Sequence, residues 1–322
     1  MTHAAFTVRT PLRRGAVLLA VLLTSFLSPS LCEPSRAAPP GILALEPVGV
    51  VEPLSPERMV SPSSVAVDHR GRILIADAGR HVVGLYERHG AFVSEFGGFG
   101  WEDGRLDGPT DLAVVEGFSV SVLDEGNRRV VGFDESGNFV GVEVGEGVAG
   151  TPVGIALGPA GELYLVDTDS QTVLVRSQFD EALEPFGRFG TGQGGLVDPV
   201  AAAVAPDRSL AVADRGRRAV LLFDQFGAEL GVATAPDSLD PVDVLFDPYG
   251  NLLVADRRHR RVLAFDPPGS SITSVLELDE LAPGFEPVSI ARGGDGEVVV
   301  LDGGEGDVAI IRPVHVRRSG TR

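Results

Sequence analysis

The sequence predicts an all-β protein, a six-bladed β-propeller in which each blade is a four-stranded antiparallel sheet. The main observation is a proline followed fifteen residues later by an aspartate, a pair that occurs six times. Successive prolines are 47, 43, 47, 42 and 46 residues apart, and a period in the forties is typical of a propeller blade. The six pairs are Pro62/Asp77, Pro109/Asp124, Pro152/Asp167, Pro199/Asp214, Pro241/Asp256 and Pro287/Asp302.

Four short β-rich runs, separated by turn residues, make up each repeat. In the first repeat they follow Pro62 and then cover residues 72–77, 81–86 and 91–96. Short apolar runs bounded by Gly, Asp and Asn indicate antiparallel hairpins. Nine residues past the aspartate the side chain is large and apolar in every repeat except the third, which has Arg176. Blade three is therefore expected to be the least regular.

The ends of the chain complete the predicted ring. Residues 53–312 hold the six blades, which start near the six repeat prolines. The sixth repeat has only three clear strands, so residues 38–52 are predicted to supply its outer strand and close the propeller. Residues 313–322 are predicted to form a basic tail.

Residues 1–37 are predicted to be a secretory signal peptide. Arginines precede an apolar run over residues 16–27, and a stretch of small residues ends near Ala37. This run is shorter than the roughly 20 residues that span a bilayer. We expect an exported protein, periplasmic or extracellular, with no membrane insertion beyond the signal peptide. Lipid attachment through Cys32 is an alternative, although the leucine before it fits that signal poorly.

Charge and composition exclude several functions. The formal net charge is −18, and all 27 basic residues are arginine. Such an acidic chain is not expected to bind nucleic acid or anionic membranes, which require a basic surface. Without lysine, Schiff-base and P-loop chemistry are excluded.

Three segments resemble NHL-repeat proteins: Phe96–Pro109, Asn127–Asp134 and Pro241–Asp256. The shared pattern is an apolar-Ala-Val-Asp strand, a second strand that ends in Ala-Asp, and then Asn-x-Arg-Val and Phe-Asp. The resemblance covers about residues 41–312 and implies a six-bladed propeller. It does not imply one activity, because the family includes ligand-binding sensors, scaffolds, RNA-binding modules and a few enzymes.

Arginines are concentrated in the loops that follow the repeat aspartates. These loops and those that precede the repeat prolines emerge on the same side of the ring, which we call the arginine face. One interpretation is a surface that binds carboxylate, phosphate or sulfate. The other is pairing of each arginine with an aspartate of its own or a neighbouring blade, which is favoured for Arg129 and Arg261. The candidate ligand-binding residues on this face are Trp101, Arg128, Arg217, Arg258 and Arg260.

Trp101 is the only tryptophan. It either packs on the hydrophobic end of blade one or is exposed, where an indole can anchor a peptide or stack on a sugar. It belongs to the first of three long loops predicted before the next proline, Gly97–Gly108, Gly187–Asp198 and Ser270–Glu286.

The residue two positions after each repeat proline is predicted to line the central opening. These residues are Ser64, Asp111, Gly154, Ala201, Asp243 and Ser289. Asp111 and Asp243 fall three blades apart, on opposite sides of the axis. Their carboxylates could hold Ca²⁺, or the polar ring could only solvate a channel. They are the candidate metal ligands, and no other cofactor is expected.

Together these observations favour a non-enzymatic binding or scaffold module. Its expected ligand is a protein, a peptide or an anionic glycan, and a monomer is expected. The alternative is a propeller hydrolase or lyase that depends on a divalent cation near Asp111 and Asp243. No catalytic residue is predicted, because the histidines are scattered over the repeats and no G-x-S-x-G sequence occurs.

Overall fold

The computed structural model describes residues 40–115, 119–145, 150–177, 182–187, 195–266, 269 and 271–316. The predicted signal peptide, Cys32 and the last six residues of the predicted basic tail lie outside the described residues. In the part of the chain that is described, no helix has the length and apolar character needed to cross a membrane.

The described residues form six four-stranded antiparallel sheets, as the sequence predicted. Blade one contains β2 Pro62–Val67, β3 Ile73–Asp77, β4 Val82–Tyr86 and β5 Phe92–Gly97. Blade two contains β6 Pro109–Val115, β7 Ser119–Asp124, β8 Arg129–Asp134 and β9 Phe139–Val144. Blade three contains β10 Pro152–Leu157, β11 Leu163–Asp167, β12 Thr172–Arg176 and β13 Glu184–Pro185. Blade four contains β14 Pro199–Val204, β15 Leu210–Asp214, β16 Ala219–Phe223 and β17 Glu229–Ala233. Blade five contains β18 Pro241–Phe246, β19 Leu252–Asp256, β20 Arg261–Phe265 and β21 Ile272–Glu277. Blade six contains β22 Pro287–Arg292, β23 Val298–Asp302, β24 Val308–Val316 and β1 Gly41–Val51. Two short 3₁₀ segments cover Leu278–Glu280 and Gly294–Gly296.

The fifteen-residue spacing reflects a register position that every blade shares. The proline begins the inner strand and the aspartate ends the second strand, and the two are directly paired, as in Pro62 with Asp77. The same pairing occurs in the other five blades. Proline is tolerated at the first position of a strand, where its missing N–H breaks no ladder hydrogen bond.

The repeat aspartate is buried in all six blades because its carboxylate organises two loops. In blade one, Asp77 accepts hydrogen bonds from the backbone N–H of Ser61 at 2.9 Å and of Arg80 at 3.1 Å. Asp214 likewise accepts from Asp198 at 3.0 Å and from Arg217 at 2.9 Å. A carboxylate that accepts several N–H groups forms strong, charge-assisted hydrogen bonds. The repeat aspartates are therefore structural and fix the loops of the arginine face.

The N-terminal strand closes the ring, as predicted. β1 pairs antiparallel with β24 along its whole length, from Gly41 with Val316 to Val51 with Val308. Ile42 is buried at 3% exposure in a cluster that also contains side chains of blade five. Closure through the two chain ends protects a strand edge that would otherwise be open.

The hydrophobic core lies between the blades. Each of the six buried apolar clusters among the described residues joins side chains from two adjacent blades. Tyr86, Phe133 and Phe265, which occupy the position nine residues past the aspartate, are at most 1% exposed. In blade three Arg176 stands at this position and donates to the backbone oxygen of Glu143 instead. The fourth strand of blade three has only two residues, so this blade is the irregular one, as expected.

Two segments differ from the sequence expectations. The predicted long loop Ser270–Glu286 contains β21, in which Ile272 and Leu276 point towards the core and Val275 is exposed. This period-2 alternation defines a strand, so the prediction of a loop was wrong there. β24 extends to Val316, four residues into the segment assigned to the basic tail, because those residues pair with the start of β1.

Candidate functional site

Four of the six predicted pore residues form hydrogen-bonded pairs on the inner strands, and we call the six positions the axial ring. Ser64 Oγ donates to Asp111 Oδ1 at 2.8 Å, and Ser289 Oγ donates to Asp243 Oδ2 at 2.9 Å. The two serines are buried, whereas the two aspartates are half-buried. Each side chain comes from the inner strand of a different blade, so these bonds join blade one to blade two and blade five to blade six.

The ring also satisfies backbone amides on the inner edges of the neighbouring blades. Asp111 Oδ2 accepts from the N–H of Ile155 in blade three at 2.8 Å. Asp243 Oδ2 accepts from the N–H of Ile290 in blade six at 2.8 Å. Ser289 Oγ accepts from Val65 in blade one at 3.2 Å. These side chains therefore join one blade to the next.

Blades three and four have Gly154 and Ala201 at the equivalent positions, and these offer no side-chain acceptor. The backbone oxygen of Val200 lies 3.0 Å from the point that a Cβ at Gly154 would occupy. The inner strands thus approach closely at this junction, and no side chain at the two axial positions bridges them.

Burial perturbs both axial carboxyls. It raises the pKa of Asp111 to about 6. Burial, together with repulsion from the Asp111 carboxylate, raises the pKa of Asp243 to about 7. The two groups therefore interact across the axis, and near neutral pH the pair is expected to retain a proton.

The axial ring is poorly suited to a metal ion. Each carboxylate already accepts three hydrogen bonds from Ser side chains and backbone amides. A carboxylate has about four lone-pair sites, whereas Ca²⁺ takes about six to eight oxygen ligands. In the described ranges, no three His, Cys, Asp or Glu side chains are grouped so that they could hold a metal ion.

Most arginines of the arginine face are paired with carboxylates. Arg129 Nε lies 2.9 Å from Asp124 Oδ2, and Arg261 Nε lies 3.0 Å from Asp256 Oδ2. The pairing favoured by the sequence for these two is therefore confirmed. The other pairs are Arg80 with Glu57 and Glu95, Arg215 and Arg257 with Asp240, Arg260 with Asp279 and Glu286, and Arg261 with Asp237. This face is a mixed-charge network rather than a purely basic surface.

The remaining predicted binding arginines differ from one another. Arg128 donates to the backbone oxygen of Gly150 at 2.8 Å, and so reaches from blade two to blade three. Arg217 donates to the backbone oxygen of Gly195 at 2.6 Å. Arg258 is exposed. Arg260, also predicted as a binding residue, is occupied by its ion pairs with Asp279 and Glu286.

Trp101 is 75% exposed, and nearby Phe99 is 72% exposed. The interpretation in which Trp101 packs on the end of blade one is therefore wrong. The loop itself is held in place, because Asn127 donates to the Gly100 oxygen at 2.9 Å and Arg129 to the Trp101 oxygen at 3.0 Å. Both aromatic side chains are presented to solvent from a fixed backbone.

A cleft of about 570 Å³ lies on the arginine face where blade two meets blade three. It is lined by Asp107, Glu125, Arg128, Thr151 and Asp169, together with the glycines at positions 108, 126 and 150. Ligand sites typically measure about 300–1,000 Å³. Three carboxylates face one guanidinium, so the lining is net acidic.

The sequence reasoning missed this cleft because its carboxylates come from three separate segments. Asp107 lies two residues before a repeat proline, whereas Glu125 and Asp169 follow repeat aspartates. An alignment of the turn after each repeat aspartate would have indicated Glu125, since blades four and five have Arg215 and Arg257 at the corresponding position.

Comparison with known proteins fits this architecture. No protein-family model matches the sequence. The chain is 26% identical over 132 residues to Protein brain tumor of Drosophila melanogaster, an NHL-repeat protein. That match covers 40% of this chain but only 13% of Brain tumor, far less than two thirds of its length.

Solved structures share the fold at low sequence identity. A streptogramin B lyase has a TM-score of 0.62 at 12% identity, over 82% of this chain and 97% of the lyase. A catalytically inactive virginiamycin B lyase from Staphylococcus aureus, bound to quinupristin, has a TM-score of 0.61 at 11% identity, over 82% and 99%. A protein of unknown function from Bacteroides thetaiotaomicron has a TM-score of 0.63 at 13% identity, over 84% and 74%. The Brain tumor match and these propeller neighbours together fit an NHL-type propeller, which confirms the predicted resemblance.

Proposed function

We propose that this propeller is a non-enzymatic binding or scaffold module that holds a protein or peptide partner on its arginine face. The observation that supports this most directly is the exposed pair Phe99 and Trp101 on a fixed loop. Aromatic residues are enriched in the cores of protein interfaces and among the residues that dominate binding.

The exposed area is large enough to matter for affinity. A Phe or Trp side chain buries about 150–250 Å², so covering these two would remove about 300 Å² from water. At about 25 cal/mol per Å² the gross gain is about 7 kcal/mol, before the costs of association. The loop backbone is already ordered, so little of that gain is lost in fixing it.

The test is affinity capture with three forms of the protein: wild type, a Phe99→Ala/Trp101→Ala double variant and a Phe226→Ala control. Phe226 is 79% exposed in the turn between β16 and β17, on the opposite side of the ring. Partners that bind the arginine face are retained by wild type and by Phe226→Ala and lost by the double variant. If the double variant retains every specific partner, the aromatic pair is not the binding surface.

We also propose that the protein is exported to the periplasm or the extracellular space. The support is the basic, apolar and small-residue order of residues 1–37. Cell fractionation with mass spectrometry of the mature N-terminus tests it. An intact residue 1 on cytoplasmic protein would contradict export, and a lipid on Cys32 would replace cleavage near Ala37.

A divalent-cation-dependent hydrolase or lyase remains the second candidate. The observation in its favour is the pair of half-buried axial carboxyls with raised pKa values, since such groups cluster at functional sites. Metal analysis of the purified protein separates the two functions. Stoichiometric calcium or zinc that is lost on Asp111→Ala would favour the enzyme.

A further inference from the structure

The cleft between blades two and three and the adjacent aromatic pair specify the chemistry of a ligand. This inference rests on the proposed function, because it concerns the same face and names what that face recognises. We propose that the partner presents a basic, arginine- or lysine-containing peptide segment, with the cation in the cleft and a neighbouring apolar side chain against Phe99 and Trp101.

The sign of the charge is the first argument. Asp107, Glu125 and Asp169 give the cleft three carboxylates, and Arg128 supplies one guanidinium that already donates to the Gly150 oxygen. The Glu125 carboxylate makes no hydrogen bond or ion pair with any other described residue, although the residue is half-buried. Burial raises the pKa of its carboxyl. A ligand cation would supply the missing partner.

The second argument is the shape of the acidic lining. Among the described residues, the three carboxylates of the cleft do not form a group that could hold a metal ion. They are distributed instead along the walls of a cleft of about 570 Å³. A guanidinium or ammonium group on a flexible stem can contact separated carboxylates, so an extended organic cation fits better than a bare ion.

The third argument is that the walls are held in place. Asp107 donates its backbone N–H to Asp124 at 2.7 Å and accepts at its backbone oxygen from Gly126 at 2.8 Å. On the blade-three wall, the Thr151 hydroxyl donates to the Asp169 carboxylate. A Cβ at Gly126 would lie 2.6 Å from atoms of Asp107, so glycine permits this close approach. A preorganised site loses less free energy on binding.

Phe99 of the aromatic pair is linked to the cleft through His81. The Phe99 ring packs edge-on against His81, with 5.0 Å between ring centroids. His81 Nδ1 in turn lies 3.3 Å from Asp107 Oδ1 and accepts from the Gly108 N–H at 2.9 Å. The position for a cation and the position for an apolar side chain are therefore neighbours. An extended peptide can occupy both.

The experiment uses capped nonapeptide libraries with a fixed central arginine, citrulline or glutamate. Citrulline has nearly the shape of arginine but no charge. Because Trp101 is the only tryptophan, quenching of its fluorescence by acrylamide reports directly on this surface. Affinities of selected peptides are measured by fluorescence anisotropy, with wild type, Glu125→Gln, Asp169→Asn and a Glu280→Gln control. Glu280 is an exposed carboxylate in the loop before Pro287 on the same face.

We expect arginine peptides to protect Trp101 from acrylamide and to bind about ten-fold more tightly than their citrulline forms. Glu125→Gln and Asp169→Asn should each weaken binding about five-fold, while Glu280→Gln leaves it unchanged. Equal affinity for arginine and citrulline peptides, or no binding by any arginine peptide, would overturn the inference. Preference for glutamate peptides would also overturn it and would assign an anionic ligand. After any of these outcomes, the capture experiment still tests the binding function. If a partner captured by wild type is lost by the Phe99→Ala/Trp101→Ala variant, the binding function stands and only the ligand class is wrong.

Discussion

The axial pair makes the stability of the ring depend on pH in an unusual direction. Asp111 and Asp243 have folded-state pKa values of about 6 and about 7, against about 3.9 for Asp in an unfolded chain. Between these limits the folded protein binds more protons than the unfolded one. Stability from this pair is therefore fully present at low pH and is lost as pH rises from about 4 to about 7.

The magnitude follows from the size of the pKa difference. A pKa of about 7 for Asp243, at about 1.4 kcal/mol per pKa unit, corresponds to about 4 kcal/mol if the group acted alone. The two carboxyls are coupled and half-buried, so their contributions do not add in full. We expect a loss of about 2–4 kcal/mol from the pair between pH 4.5 and pH 8.

The assay compares wild type with Asp243→Asn by urea unfolding at several pH values, followed by far-UV circular dichroism. The free energy of unfolding of Asp243→Asn should rise relative to wild type by about 2–4 kcal/mol from pH 4.5 to pH 8. The asparagine side chain has one oxygen where aspartate has two, so the Val244 N–H loses its acceptor. This cost is independent of pH and cancels when the change with pH is compared. Asp295→Asn, at an exposed turn with a φ of 56°, serves as the control. Parallel pH profiles for wild type and Asp243→Asn would refute the reasoning.

Three further predictions concern closure, the cleft and the axial ring. Ile42→Ala should lower the free energy of unfolding, measured by thermal or urea unfolding, by about 2–5 kcal/mol. Leu43 is 61% exposed on the same strand, so Leu43→Ala should change the free energy of unfolding by less than about 0.5 kcal/mol. Equal effects of the two substitutions would contradict the closure by β1. Gly126→Ala should cost about 1–3 kcal/mol because its Cβ would lie 2.6 Å from the loop before blade two, while Gly141→Ala, with open space around it, should be tolerated. Millimolar calcium should raise the melting temperature no more than sodium at equal ionic strength, because the axial carboxylates are already hydrogen-bonded; a calcium-specific rise that Asp111→Ala abolishes would contradict this.

The sequence predicted the features of the fold that every blade repeats. Pro62 and Asp77 are paired across the first two strands, and Asp77 accepts backbone hydrogen bonds, so both residues recur at the same register position in every blade. The sequence also predicted closure of the ring by the N-terminal strand, because the sixth repeat has only three strands and needs a fourth. The strand within Ser270–Glu286 was missed since its alternation is short and begins next to a turn.

The candidate site was less predictable because it depends on where non-repeated residues meet. The sequence indicated which arginines were candidates for binding, but not that Asp279 and Glu286 would pair with Arg260. Such contacts join loops of different lengths, and a repeat pattern does not fix loop geometry. Trp101 illustrates the same limit, since its loop is held by side chains of the next blade, Asn127 and Arg129.

The axial ring and the cleft are connected through the junction of blades two and three. Asp111 joins these blades near the axis through its hydrogen bond from Ile155, and Arg128 joins them at the surface through Gly150. The two walls of the cleft belong to these same two blades. The next junction along the chain, where Gly154 meets the inner strand of blade four, has no such bridge from its axial residue. The cleft thus lies at a junction that is fixed at both ends, which is where a preorganised site loses least on binding.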